Sequence, residues 1–159
     1  MIEGEEMKAK SQAFIEWDDR FKLGIQLIDR QHERLVFLTN NLHLACLHST
    51  QTANHYFVDT IHQLVDYVNF HFTTEEKLMR LLEFEGYSIH KKGHESFIKE
   101  VLIQTEKFSQ ASHLVPNRFV HFLKDWILGH IAVCDKAMAD FVLDSKYHKK
   151  LEQLTHKSA

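Results

Sequence analysis

Four stretches of this 159-residue chain carry apolar side chains in alternating steps of three and four, and little interrupts them: the whole chain holds five Gly and one Pro. Such steps return to one face of an α-helix, whereas strands need a period of two and turn residues roughly every 8–12 positions. The first stretch, about Asp18 to Leu47, passes through Phe21, Ile25, Ile28, His32, Leu35, Thr39 and Leu42. The second, about Asn54 to Glu83, passes through Phe57, Ile61, Leu64, Val68, His71, Glu75, Leu78 and Leu82. The third, about Ser88 to Gln110, reads His90, His94, Phe97, Val101, Gln104, Phe108; the fourth, about Pro116 to Leu143, reads Phe119, Leu123, Trp126, His130, Val133, Ala137. The joins hold helix punctuation: Ser49-Thr50-Gln51-Thr52, Gly86 before Ser88, and Pro116 at an expected first helical position. Short joins make consecutive helices antiparallel neighbours, so the expected fold is all-α, an up-down-up-down antiparallel four-helix bundle. Residues 1–13 read as a tail, 14–145 as one domain, and 146–159 as a polar C-terminal extension in which Tyr147–Leu154 is a candidate short helix.

Composition removes several function classes. A net charge of −3 supplies no electrostatic footprint for nucleic acid. No run approaches the ~18 apolar residues of a membrane span, so membrane insertion is not expected. The start MIEGEEMKAKSQ is acidic and polar, without an apolar signal core. Two cysteines, Cys46 and Cys134, are too few for a disulfide scaffold and suit a reducing cytoplasm, the expected location.

The unusual number is 13 histidines. Each helix stripe is interrupted by at least one, and the second also by Glu75. A buried imidazole or carboxylate is costly unless paired, so one such residue is ordinary, but four interrupted stripes facing one interior volume point to a shared metal. His71 and Glu75 are i,i+4, as are His90 and His94, and each pair projects from one helix face. His130 and Asp135 are i,i+5, about 140° apart on a regular helix, so Asp135 reaches the centre only if its helix widens as a π-bulge or its side chain reaches diagonally; such bulges cluster at functional sites. By the same register His43, His48, His55, His62, His113, His121, His148 and His156 fall off the seams or at joins and ends, and are expected at the surface. Cys134, next to Asp135, reads as a small buried thiol.

Trp17…Leu23-Gly24-Ile25…Ile28-Asp29-Arg30-Gln31-His32, His71-Phe72-Thr73-Thr74-Glu75-Glu76, His90-Lys91-Lys92-Gly93-His94 and Trp126…His130-Ile131…Asp135 together resemble hemerythrin, in particular the bacterial hemerythrins, over residues 14–145. The resemblance implies two iron ions with an oxo or hydroxo bridge, and reversible uptake of dioxygen. By position, His90, His94 and His130 resemble the three histidines on one iron, His32 and His71 the two on the other, and Glu75 and Asp135 the bridging carboxylates. If both carboxylates and one oxo or hydroxo group bridge, three histidines complete one iron at six ligands while two leave the other at five. Dioxygen is the natural occupant of that vacancy. Ferritin-like di-iron oxidases use a Glu-x-x-His on each of two helices, and no Glu-x-x-His occurs in this chain.

Met79 lies one turn beyond Glu75, and Trp126 and Ile127 one turn before His130; with Ile28 and Phe72 they are expected to line a dry pocket at the open position, as well as to pack the core. The resemblance therefore implies an oxygen carrier, store or buffer and not an enzyme. The alternatives are a dioxygen sensor acting through a separate partner protein, or a di-iron enzyme acting on peroxide or nitric oxide. A zinc site is a further fallback, because imidazoles suit several transition metals.

Overall fold

A computed structural model describes residues 13–110 and 114–144. The expected tail (save Ala13) and the C-terminal extension lie outside these residues, as do His113, His148 and His156. The described residues form four helical rods. The first is α1 (Gln26–His48). The second is α2 (Thr50–Tyr67), continued through a π-helical segment (Val68–Phe72) into α3 (Thr73–Leu81). The third is α4 (Tyr87–Ser109). The fourth is α5 (Val115–Trp126), continued through a longer π segment (Ile127–Asp135) into α6 (Lys136–Leu143). In space α1 packs along α2 and α5, and α4 along α3 and α5.

The first helix starts eight residues later than its periodicity suggests, at Gln26 instead of Asp18. Phe21 and Leu23 are nonetheless buried, because residues 13–25 run over the bundle as an extended strap. Two clamps hold it. The side chain of Asn40 pairs with both backbone groups of Ile15, each at 2.9 Å. Asp29 accepts from Leu23 N (2.7 Å) and Gly24 N (3.1 Å). Gly24 has φ +87°, a left-handed conformation that only glycine adopts without strain. The second helix begins earlier than expected, at Thr50, because Ser49 caps it by accepting from Thr52 N at 3.1 Å. Pro116 sits in the first turn of α5, where its missing N–H costs nothing.

In α2 the inward face takes Thr60 and Tyr67 instead of Ile61 and Val68, the same spacing with its steps in the other order, and beyond the π segments the expected registers shift. In the second rod Thr60, Tyr67 and Met79 are buried, while Ile61, Val68 and Leu78 are only half-buried. In the fourth rod Val133 and Ala137 face solvent, and the buried residues are Ile131, Asp135, Met138, Ala139 and Val142. Each wide turn spends one extra residue, so the face turned inward after it is no longer the one a uniform 3.6-residue period selects. It also lets neighbours such as His71 and Phe72, or His130 and Ile131, both point inward. The core is consequently split. A large cluster is built on Leu35, Leu42, Phe57, Leu64, Phe97, Phe119 and Leu123. A small one contains Leu23, Ile28, Met79, Leu82, Met138, Ala139 and Val142.

A Cβ at position 24 would lie 3.0 Å from Leu143 Cδ1. Gly24→Ala should destabilise the fold by about 1–2 kcal/mol, from left-handed strain alone, read as a lowered midpoint in urea.

Candidate metal centre

Between the two apolar clusters lies a belt of buried polar side chains: His32, His71, Glu75, His90, His94, His130 and Asp135, each no more than 6% exposed. All seven residues expected from the sequence meet there. They form two overlapping groups whose potential ligand atoms lie within 4.8 Å of one another: Glu75, His90, His94, His130 and Asp135 in one, and His32, His71, Glu75 and Asp135 in the other. Only the carboxylates belong to both.

Each carboxylate divides its oxygens between the groups. Glu75 turns Oε1 toward His71 Nε2 at 3.4 Å, and Oε2 toward His90 Nε2 (3.3 Å) and His94 Nε2 (3.2 Å). Asp135 turns Oδ2 toward His32 Nε2 at 3.1 Å, and Oδ1 toward His90 Nε2 and His130 Nε2, each at 3.1 Å. The π segment Ile127–Asp135 makes this possible, since it brings Asp135 onto the face of His130 as the i,i+5 spacing requires.

The far nitrogens of two rings are held from behind. His71 Nδ1 donates to Gln31 Oε1 at 2.7 Å, and His94 Nδ1 donates to Glu76 Oε1 at 3.1 Å. An imidazole that donates through Nδ1 in its neutral form presents a bare lone pair at Nε2. Those lone pairs face other electron-rich atoms: His71 Nε2 lies 3.3 Å from His32 Nε2, and His94 Nε2 lies 3.2 Å from Glu75 Oε2. Glu75 Oε1 and both oxygens of Asp135 are buried without a hydrogen bond. Converging lone pairs in a dry interior are repulsive unless a cation sits among them, so this donor set fits a metal, and imidazole with carboxylate suits iron.

Charges on these groups follow from burial and from one another. Burial pushes Glu75 up to about 8, aided by Asp135. Burial opposes charge on His90, yet Asp135 and Glu75 outweigh it and raise that imidazole to about 9. Burial, with His90 and His130 beside it, takes His94 down to about 3. Burial and His32 hold His71 well below its ordinary value. Asp135 is well below the carboxylate range: burial works against this, but His130, His32 and His90 overcome it.

Aromatic rings fix the imidazole planes. Phe72 stacks on His94 (3.8 Å between centroids, 4° between planes) and Trp126 on His130 (3.9 Å, 12°). Tyr67 stacks on His71 (4.6 Å, 23°). Of the expected pocket residues, Ile28, Phe72, Met79 and Ile127 are buried, and Trp126 is half-buried. Gln31, Tyr67, Glu76 and Gly93 were not anticipated. For Tyr67 the i,i+4 step to His71 was an available signal; for Gln31 and Glu76 nothing in periodicity reveals a partner on another helix. Gly93 leaves room for an imidazole, since a Cβ there would lie 2.8 Å from His130 Cε1.

The other described histidines stay out of the centre. His48, His55, His62 and His121 are exposed. His43 is half-buried and not at the surface, because it stacks on Phe14 of the strap at 4.0 Å. Cys46 and Cys134 are free and half-buried, so Cys134 is not the buried thiol expected.

Two outcomes follow from this geometry. Gly93→Ala should displace the His130 ring, lowering bound metal in elemental analysis and destabilising the fold by roughly 1–3 kcal/mol through overpacking. At pH 7 the metal-free centre holds protons on His90 and Glu75, and metal ligands must shed them. Loading should therefore release about one to two protons per chain, measured by calorimetry in buffers of different ionisation enthalpy; the release should shrink, and the affinity rise, as pH climbs through 8 and 9.

Known proteins share this plan. Residues 23–142 match the family described as hemerythrin HHE cation binding domain. The chain is 35% identical over 130 residues to the bacteriohemerythrin of Stenotrophomonas maltophilia, covering 82% of each protein. It is 36% identical over 133 residues to that of Pseudomonas aeruginosa, covering 84% of each, and 30% identical to that of Clostridium acetobutylicum, covering 78% of this chain and 98% of the relative. A solved hemerythrin structure shares the fold, with a TM-score of 0.70 at 23% identity over 82% of this chain and 98% of the other. No helix among the described residues is long and apolar enough to cross a membrane. This chain is a member of the hemerythrin family, and that membership makes its buried histidine–carboxylate cluster a candidate site for non-haem iron.

Proposed function

We propose that the chain binds dioxygen reversibly at a di-iron centre, as a carrier, store or buffer. The observation that carries the reading is the unequal division of histidines around two shared carboxylates. His90, His94 and His130 gather on one side and His32 and His71 on the other, with Glu75 and Asp135 common to both. Two cations so held receive unequal numbers of nitrogen donors, which leaves room for a small guest on the two-histidine side. When bound, a pair of ferrous ions would supply the two electrons that reversible dioxygen binding draws on. The names of the bacteriohemerythrin relatives support the same reading.

The protein's own part is to hold and to exclude. Gln31 and Glu76 keep protons on the outer nitrogens of His71 and His94, so that their inner nitrogens remain free to ligate. Buried Ile28, Phe72, Met79 and Ile127, with half-buried Trp126, limit water at the centre, which restrains loss of electrons to solvent-assisted oxidation. Two free cysteines support a reducing cytoplasm as the place of action.

Iron analysis should return about two ions per chain, the count the paired ligand groups call for; about one zinc instead would end the reading. Through repeated cycles of nitrogen and air, the reduced protein should gain and lose a visible absorption band without net consumption of oxygen. Steady turnover of peroxide or nitric oxide would favour an enzyme. His90→Ala should forfeit iron or the band, whereas His62→Ala, at an exposed position, should keep both.

A further inference from the structure

Tyr67 is only 8% exposed, and its ring covers the His71 imidazole. Its hydroxyl is buried with no hydrogen-bond partner among the described residues. A buried O–H without an acceptor bears the whole loss of its hydration, which a phenylalanine in the same stack would avoid. The hydroxyl therefore calls for an acceptor that none of the described residues supplies.

Its surroundings narrow that acceptor. Burial first, and then the charges of Asp135 and Glu75, the carboxylates common to both ligand groups, hold the phenol protonated well above its ordinary range. The ring it covers belongs to the two-histidine side. Gln31 Nε2, on the residue that binds His71 from behind, also lacks an acceptor. On the three-histidine side the covering rings are Phe72, which has no polar atom, and Trp126, a half-buried residue whose Nε1 is unpaired too. A buried hydroxyl stands against His71 and against none of the other stacked imidazoles.

We propose that the Tyr67 hydroxyl is a ligand-binding donor, giving its hydrogen bond to a small guest that carries or acquires negative charge on the His32–His71 side of the centre. This rests on the di-iron reading above and adds a selectivity to it. Hydrogen bonds to charged acceptors are about twice as strong as neutral ones, so anionic guests gain most.

Azide, a small anion, is the probe, and Tyr67→Phe is the variant that keeps the stacked ring and removes only the O–H. In the iron-loaded full-length protein the variant should bind azide about tenfold more weakly, equivalent to about 1.4 kcal/mol. The infrared stretch of bound azide should shift in deuterium oxide for the wild type and stay put in the variant. The metal-free variant should melt no lower than the metal-free wild type, because no acceptor within the protein is lost. Azide affinity within twofold of wild type, or a lowered melting point of the metal-free variant, overturns the inference while leaving the di-iron reading intact. An iron-loaded wild type that binds neither azide nor dioxygen overturns both.

Discussion

Everything in this fold answers to two carboxylates buried where carboxylates are expensive. Glu75 and Asp135 are fully enclosed, and each faces histidines from both ligand groups. Alone, such groups would be neutralised or expelled from the interior. Here they are set among five imidazoles, and three of their four oxygens have no hydrogen bond to a described residue. A bound cation turns this liability into cohesion, because metal-binding energy then counts toward folding.

That demand explains the departures from regular helix. A straight α-helix cannot place both His130 and Asp135 on one face, and the π segment Ile127–Asp135 gives up ideal hydrogen bonding to do so. The segment at Val68–Phe72 does similar service, letting His71 reach the carboxylates while Phe72, its neighbour, stacks on His94 from another helix. Glycine at position 93 is the smaller counterpart: it withholds a side chain where an imidazole must lie.

The bundle and all seven polar interruptions were legible in the sequence because helix periodicity reports which face is inward, and His32, His71, Glu75, His90, His94 and His130 fall on that face. Asp135 was legible only conditionally, through the i,i+5 spacing that required a widened turn. What periodicity cannot report is contact between rods. Gln31 and Glu76 act on rings across helices, and Tyr67 is buried in place of the expected Val68 because the inward face of α2 runs Phe57, Thr60, Leu64, Tyr67, an equally regular alternation of three and four. The late start of α1 was hidden for the opposite reason: Phe21 and Leu23 are buried as a helix face would be, but by an extended strap held at Asp29 and Asn40.

The polar belt cuts the interior into unequal halves, and the lesser half joins the strap to the last helix of the fourth rod. Leu23 belongs to the strap; Met138, Ala139 and Val142 belong to the last turns of α6. Both pack on Ile28, Met79 and Leu82, so loosening either the strap or α6 removes apolar cover from the same three side chains, and the two segments stabilise each other.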